Sequence, residues 1–549
     1  MPFTVIERRA PLQGQQMIEL VSRIGLTIGL LSLTWGCLAY RKGATPRSEG
    51  GRVVRAMTSE PANLDPQGPP SSGLNLILPY LFDTLVVRDA TNQIHPLLAE
   101  HWAMGEQGKV LTMTLKANVT FHDGTPLDAD AVLRTFRRLA ETGTASPIYD
   151  GIQQIRSVDV VDAHTVRFQF AEPSPTFWST ISMPYASILS PDSIEQATTD
   201  PDRPLVGSGP FRLRSWDPGR AITLESNPDY AWSPPIVENQ EAPHLAELTF
   251  RIIPDATTQL LALQSGEVDI LFVNQPEHLR ALENDQEITL HSAVLNSLVY
   301  LGFNCAKPPL DEPAIRRALS HAVDKQEILD LALGGIGQVA FAPLPPTLEG
   351  FDSGLQTYAS GYDPDQAIKG LETAGFTRTV DNGWERATQT LALELLISTR
   401  APNADIAALL QSQFKAVGVP VIIRQVDSRA VMQTTAEGAY DLLLWRYDWN
   451  DPDALRIFFS SPRIGRTNRI YYSNPLVDAL LEEGAHTLDN TARQRIYSEA
   501  QRLMLLDAPL QPLYNPVDVI AVRNRVVGAQ VSYMGRLLLN DVRIAASTP

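Results

Sequence analysis

The chain has 549 residues, which is more than one hydrophobic core normally serves, so two or three domains are expected. Its formal net charge of −17 argues against nucleic-acid binding, because that function needs a clustered basic surface. With only two cysteines, Cys37 and Cys305, the sequence excludes a disulfide framework and a thiolate zinc site.

The first segment of the chain has the pattern of an export signal. An uncharged stretch from Ile24 to Gly36 is too short to span a bilayer as a stable helix, but it fits a signal-peptide core. It ends at Gly36-Cys37, which is similar to a bacterial lipobox. We therefore predict a signal peptide over 1–36, with Met17 as the probable start, lipidation of Cys37, and a polar tether over 37–51. A signal without lipidation is the alternative.

The globular part begins near Arg52 and mixes strands with amphipathic helices. Apolar residues recur at helical spacing from Leu74 to Val87, which predicts a helix. Asp123-Gly124 beside a strand indicates a tight turn, because glycine adopts positive φ readily. Asp128 is a candidate N-cap for the helix that follows it. Strands are predicted over Val53–Met57, Val110–Leu115, Val158–Val161 and Thr165–Phe170.

Beyond residue 200 the pattern changes twice. Gly207–Pro210 opens a region of turns and strands, which includes a predicted helix over Ala256–Ser265 that ends at Gly266. From about 301 to 505, helices alternate with strands, which is typical of an α/β domain. The tail from 510 to 543 returns to strand character, which is expected if this segment folds back onto the first domain of the chain.

Catalytic motifs are missing from the sequence. It contains no nucleophile elbow, no zinc-protease helix, no phosphate-cradling loop and no dinucleotide fingerprint. His122 and Asp123 are neighbours, but adjacent residues on an extended segment point to opposite faces, so we interpret them as a structural turn. We predict that the chain is not an enzyme and uses no cofactor or metal.

Short motifs follow one another in a fixed order along most of the chain. Together they resemble family 5 of the extracellular solute-binding proteins, the peptide- and nickel-binding receptors of ABC importers. The motifs are Leu97-Leu98-Ala99-Glu100, Phe121-His122-Asp123-Gly124-Thr125-Pro126, Gly207-Ser208-Gly209-Pro210-Phe211, Asn227-Pro228-Asp229-Tyr230, Ser265-Gly266-Glu267-Val268-Asp269, Arg316-Arg317-Ala318-Leu319 and Tyr362-Asp363-Pro364.

The resemblance implies an α/β fold, a two-lobed periplasmic-binding-protein clamp of the class II type that closes by a hinge. A small α+β domain would be inserted in the first lobe. The implied limits are 52–88, 200–300 and 508–549 for lobe I, 89–199 for the extra domain, and 301–507 for lobe II. The chain would cross between the lobes near Leu301–Asn304 and Leu505–Leu513.

The ligand site is expected where a buried strand, Asp441–Trp445, ends in an aromatic loop. The sequence here resembles peptide-binding members in which an Asp three residues after a Trp holds the ligand ammonium. That position is Asp448. Arg446 departs from the small residues common at its position, so it would alter the ligand charge preference or point to solvent. Further candidate ligand residues are Trp445, Tyr447, Trp449, Asn304 and Ser208. No single residue is assigned to the ligand carboxylate, and the candidates are Arg400, Arg424 and Arg466.

We therefore predict the extracytoplasmic substrate-binding component of an ABC importer, which binds di- or oligopeptides between closing lobes. Its expected partners are a peptide-like solute, the permease and ATPase subunits, and the membrane through the N-terminal anchor, with no nucleic acid. It would be a monomer in the periplasm or at the cell surface. The alternatives are a receptor for a nickel chelate, an oligosaccharide, haem or an opine-like compound, and an envelope enzyme or sensory partner on the same fold.

Overall fold

The structure, a computed structural model, describes residues 47–48, 50–200, 203–387, 389–532 and 536–545. The predicted signal segment and Cys37 lie outside the described residues. The fold is mixed α/β, with three larger sheets. Within the described ranges, no helix combines the length and the apolar character needed to cross a bilayer.

The first sheet has seven strands and is built from distant parts of the chain. Arg52–Met57 lies at its centre and pairs in parallel with Glu247–Ile252. Val53 is opposite Leu248 in this register, and both side chains are buried in the largest core. The strands in spatial order are Ile288–Val294, Val517–Arg523, Ile270–Val273, Arg52–Met57, Glu247–Ile252, Ala221–Ser226 and Phe211–Asp217.

The second sheet has four antiparallel strands, and one long helix packs against it. The helix Ala129–Thr142 begins at Asp128, whose side chain accepts a hydrogen bond from the Ala131 backbone, as the sequence predicts. Its apolar face, which includes Phe136, shares the largest core with Phe168 of the sheet. The strands in spatial order are Ala99–Gly105, Val110–Leu115, Thr165–Phe170 and Ile155–Asp162.

The third sheet has six strands and a separate core. Leu442–Asp448 pairs antiparallel with Ser297–Phe303 along its whole length and in parallel with Leu393–Ser398. The strands in spatial order are Gln338–Val339, Leu510–Asn515, Ser297–Phe303, Leu442–Asp448, Leu393–Ser398 and Val421–Val426.

The remaining elements connect these sheets. The helices are Ser72–Leu81, Ala129–Thr142, Tyr149–Ile152, Phe177–Ile181, Pro191–Thr199, Ala256–Ser265, Pro276–Leu282, Pro313–His321, Lys325–Ala332, Pro364–Thr373, Asn403–Ala416, Ser428–Glu437, Ala454–Phe459, Pro475–His486 and Asn490–Asp507. Shorter strands pair in smaller sheets, for example Val86–Arg88 with Ile94–Pro96.

The chain passes between the seven-stranded and the six-stranded sheet at two adjacent points. Leu295 and Asn296 join Ile288–Val294 to Ser297–Phe303, and Pro516 alone joins Leu510–Asn515 to Val517–Arg523. The Leu295 backbone N–H donates to the Pro516 carbonyl at 2.9 Å. These crossings lie a few residues away from the predicted ones, because the crossing strands belong to the six-stranded sheet along their whole length.

One predicted helix is wrong in extent. The segment from Leu74 to Val87 forms a helix only over Ser72–Leu81, and Val86–Arg88 is a strand. The helix ends because Phe82 is already extended, with φ −133° and ψ 145°. The apolar spacing continues past this point because Leu85 and Val86 are also buried, but Leu85 lies in the connection and Val86 begins the strand.

Candidate functional site

A cavity of about 1050 Å³, called here the cleft, opens between the two sides of the molecule. One side is formed by the start of the helix Ser72–Leu81 and by residues 147–185, which include the helix Phe177–Ile181. The other is formed by Arg400, residues 446–463 and the end of the helix Pro475–His486. A solute in the cleft would contact segments that are several hundred residues apart in sequence.

The strand Leu442–Asp448 carries two charged residues of the cleft wall, Arg446 and Asp448. Its first three residues are buried leucines, and its last residue, Asp448, has a side chain that is 51% exposed at the cleft. Ser297 is directly opposite Asp448 in the sheet and donates its hydroxyl to the carboxylate. Arg446, two residues earlier on the same strand face, forms an ion pair with Asp448.

The aromatic candidates are divided between the cleft and the core. Trp449 lines the cleft and packs edge-on against Phe458. Tyr447 is 2% exposed, stacks on Phe458 and donates its hydroxyl to the Pro343 carbonyl. Trp445 is half-buried, with the Arg469 guanidinium 5.1 Å from its ring centre. Because side chains alternate along a strand, residues 445 and 447 face away from the wall formed by 446 and 448.

Asn304 and Ser208 occupy places inside the fold and not on the cleft wall. The Asn304 amide donates to the carbonyls of Gly438 and Tyr440, at 3.0 Å each. The Ser208 hydroxyl donates to the buried Asp83 carboxylate at 3.0 Å. Both side chains are used by neighbouring backbone or side-chain groups, so nothing in their geometry supports ligand binding.

Of the arginines considered for a ligand carboxylate, Arg400 lines the cleft. Arg424 pairs with Glu394 at 3.3 Å and does not border the cleft, and neither does Arg466. Cys305 is half-buried, and desolvation of its thiol raises the pKa to about 12, so it stays protonated.

His122 and Asp123 point to different partners, as expected for adjacent residues on an extended segment. The His122 ring lies 2.9 Å from the Gly209 carbonyl, and burial lowers its pKa to about 4, so the ring is neutral. Asp123 accepts hydrogen bonds from Thr125 and Ser190. Among the residues with described positions, no group of three or more His, Cys, Asp or Glu side chains is arranged to hold a metal ion.

A buried polar network beside the cleft was not predicted. The Ser179 hydroxyl, on the helix Phe177–Ile181, lies 3.1 Å from the Asp451 carboxylate across the cleft, and Arg88 donates to the same hydroxyl at 2.9 Å. Asp451 pairs with Arg493 at 2.5 Å, and both side chains are at most 5% exposed. Burial alone would raise the pKa of Asp451, but Arg493 outweighs it and holds this pKa below its usual value.

Comparison with known proteins identifies the family of the chain. The family model for bacterial extracellular solute-binding proteins, family 5 (middle region), matches residues 93–465, more than half of the chain. The chain belongs to this solute-binding family. The match spans the four-stranded sheet, the cleft residues 147–185 and the strand that ends at Asp448.

Individual relatives extend the comparison over most of the chain. The probable D,D-dipeptide-binding periplasmic protein DdpA of Escherichia coli is 29% identical over 442 residues, 78% of this chain and 81% of that protein. Heme-binding protein A of Haemophilus influenzae is 29% identical over 477 residues, 82% of this chain and 84% of that protein. Relatives with similar identity thus carry names with different ligands, so relationship alone does not assign the solute of this protein.

The structure of HbpA2 from Haemophilus parasuis superposes with a TM-score of 0.81, at 23% identity, over 90% of this chain and all of that chain. This likeness confirms the predicted fold class, a two-lobed solute-binding clamp. One side of the cleft is formed mainly by residues 147–185, within the predicted extra domain, and the other by residues within the range predicted for lobe II.

Proposed function

We propose that this solute-binding protein is the extracytoplasmic receptor of an ABC importer and that it binds a peptide-like solute in the cleft. The observation that carries the proposal is the cleft itself, whose walls come from the predicted extra domain and the start of the helix Ser72–Leu81 on one side and from the predicted lobe II on the other. Its volume of about 1050 Å³ is at the upper end of the range of roughly 300–1,000 Å³ usual for small-molecule sites. It therefore has room for more than a single amino acid.

Closure of the clamp supplies the mechanism. A solute that contacts both walls stabilises the closed form, and its binding free energy shifts the population towards that form. The permease would then recognise the closed receptor. Direct contacts join the two sides of the cleft: the Ser179 hydroxyl lies 3.1 Å from the Asp451 carboxylate, and the His486 ring lies 3.0 Å from the Pro173 carbonyl.

Polar groups on the cleft wall suit the backbone of a peptide. Asp448 and Trp449 are the predicted ligand residues that border the cleft, and Gln153, Gln154 and Thr176 add amide and hydroxyl groups. These groups can exchange hydrogen bonds with amide N–H and C=O groups of a ligand, directly or through water. Names of relatives such as the D,D-dipeptide-binding protein DdpA support this solute class.

Retention at the membrane through a lipid on Cys37 is part of the same proposal. A receptor tethered near its permease meets it at a higher effective concentration. Labelled palmitate should be incorporated into the wild-type chain and not into Cys37→Ser. Equal membrane retention of both chains would contradict the anchor.

The binding site can be tested by blocking the cleft. Gln153 is an exposed cleft residue, and Gln153→Trp should fill part of the cavity and weaken solute binding by at least about tenfold. Gln196→Trp is the matched control, since Gln196 is exposed on the helix Pro191–Thr199 and does not border the cleft. Calorimetry with a tripeptide library measures both. If both variants lose affinity equally, or if neither loses affinity, the cleft is not the binding site.

A further inference from the structure

Asp448 is already bound by groups of the protein. The Arg446 Nε donates to both carboxylate oxygens, at 2.9 and 3.1 Å, and its Nη2 atom donates to one of them as well. Ser297 donates its hydroxyl to the same oxygen. The two charged side chains are 32% and 51% exposed, both towards the cleft. The pair therefore presents a fixed guanidinium and a neutralised carboxylate to any solute.

Most of the other carboxylates that line the cleft are also paired with groups of the protein. Six Asp and Glu residues line the cleft, and only Asp150 has no hydrogen bond or ion pair within the part of the chain that the structure describes. Four of the other five have an arginine or lysine partner in the protein: Glu172 with Lys109, Asp448 with Arg446, Asp451 with Arg493, and Asp453 with Arg456. The fifth, Glu482, lies 3.1 Å from the His486 ring.

A smaller share of the cleft guanidinium groups than of the cleft carboxylates has a partner of opposite charge. Arg400 and Arg463 line the cleft, and over the described ranges neither has a carboxylate partner. Arg400 and Arg446 both line the cleft, and the charge of each affects Tyr514. Burial raises the pKa of Tyr514 to about 12, and the positive charges of Arg446 and Arg400 oppose that rise. Among the described residues, the charged side chains of the cleft that lack a partner of opposite charge are thus mainly arginines.

An ammonium group and a carboxylate would meet this wall very differently. An ammonium at Asp448 must displace the Arg446 guanidinium or share one carboxylate with a like charge at short distance, and both are unfavourable. A carboxylate meets arginine forks whose planar N–H groups match its two oxygens.

We propose that Arg446 is a specificity-determining residue that neutralises Asp448, so that the cleft selects an anionic solute with no free amino terminus at this position. An amine-blocked peptide that carries carboxylates has this chemistry. The peptide part rests on the proposed function, whereas the charge preference does not. The ammonium-binding role that the resemblance implies for Asp448 is replaced here by that of counter-ion to Arg446.

The first test uses two pools of Ala-Xaa-Asp tripeptides, one with free and one with acetylated amino termini, measured by calorimetry on ligand-free protein. The wild type should bind the acetylated pool at least about tenfold more tightly, a difference of ~1.4 kcal/mol. Arg446→Ala should reverse the preference, because it releases the Asp448 carboxylate, and adding Asp448→Asn should remove the gain. Arg424→Ala, which breaks an ion pair away from the cleft, should behave as the wild type. Equal or tighter binding of the free-amino pool by the wild type would overturn the proposal.

The second test separates charge preference from peptide binding. Succinate, a dicarboxylate, and 1,4-diaminobutane, a diamine, are compared in thermal-shift titrations, which also show that each variant is folded. Succinate should raise the wild-type Tm and the diamine should not, with the order reversed in Arg446→Ala. If succinate acts as expected while neither tripeptide pool binds, the peptide proposal fails and the charge preference stands. Stabilisation of the wild type by the diamine alone would overturn the charge preference.

Discussion

Replacing Asp451 by asparagine should destabilise the protein strongly, although the side chain keeps its shape. Asp451 and Arg493 are both at most 5% exposed, and the substitution leaves the guanidinium as a buried charge without its main partner. Removal of one partner of a buried pair costs about 3–5 kcal/mol. Glu349, 3.6 Å from Arg493, compensates in part, so we expect a loss of about 3 kcal/mol in the free energy of unfolding.

Calorimetric unfolding of ligand-free protein provides the measurement, because bound solute would raise the Tm by itself. For a domain of about 150–250 residues each kcal/mol corresponds to roughly 2–4 °C, so the Tm of the domain that holds this pair should fall by about 6–12 °C. Asp130→Asn is the matched control, since Asp130 pairs with Arg134 on an exposed helix face and the pair contributes at most about 0.5 kcal/mol. A Tm for Asp451→Asn that equals that of the control would refute the role assigned to the buried pair.

Three further predictions concern other parts of the molecule. Gly209→Ala should lower the free energy of unfolding by about 1–3 kcal/mol in urea titrations, because a Cβ there would lie 2.5 Å from backbone atoms of Tyr80 and Leu81. Gly361→Ala, where nothing lies within 4 Å, should change it by less than about 0.5 kcal/mol, and equal effects would contradict the packing argument. Burial raises the pKa of Asp83 from 3.8 to about 6 in the folded protein. As pH rises between these values the unfolded chain loses this proton more readily than the folded protein does, so the free energy of unfolding of the wild type falls. The stability of Asp83→Asn relative to the wild type should therefore rise by up to about 3 kcal/mol from pH 4 to pH 7, and a constant difference would contradict the shift. Ser179→Ala should weaken solute binding by about tenfold in calorimetry, because the hydroxyl connects the two sides of the cleft, and unchanged affinity would exclude this role.

Local patterns predicted much of the fold because they depend on neighbouring residues. The Asp128 cap and the helix Ala256–Ser265, which ends at Gly266 with φ 82°, follow from short-range hydrogen bonding and backbone freedom. The end of the first helix was placed too late, since the apolar spacing of a helix and of a following buried strand look alike over a few residues.

The site was predictable only in part. The segment with Asp448 could be located because a buried strand ending in polar and aromatic residues is a common ligand wall. The division into 446 and 448 against 445 and 447 follows from strand alternation, but the sequence analysis ended this strand at Trp445 and placed the next residues in a loop, whereas the strand continues to Asp448. By contrast, no spacing in the sequence connects Ser179 with Asp451, which are 272 residues apart and meet only across the cleft.

The domain limits, like the lipid anchor and the solute, remain predictions, but the sheets can be compared with the predicted limits. The three larger sheets are made of segments within the ranges predicted for the two lobes and the extra domain, apart from the crossing strands Ser297–Phe303 and Leu510–Asn515. Both strands pair in the six-stranded sheet, since their hydrogen bonds reach Leu442–Asp448 and one another. Sheet pairing, which is long-range, sets these limits more directly than local composition does.

The central claim, that this solute-binding protein captures a peptide-like solute, is tested most directly by mass spectrometry of the ligand released when freshly purified protein is denatured. Acid hydrolysis of the released fraction followed by amino-acid analysis then shows whether the solute is built from amino acids. The account predicts a short peptide or peptide conjugate that is absent from Gln153→Trp and present in Gln196→Trp. A stoichiometric solute that yields no amino acids, or one retained equally by both variants, would contradict it.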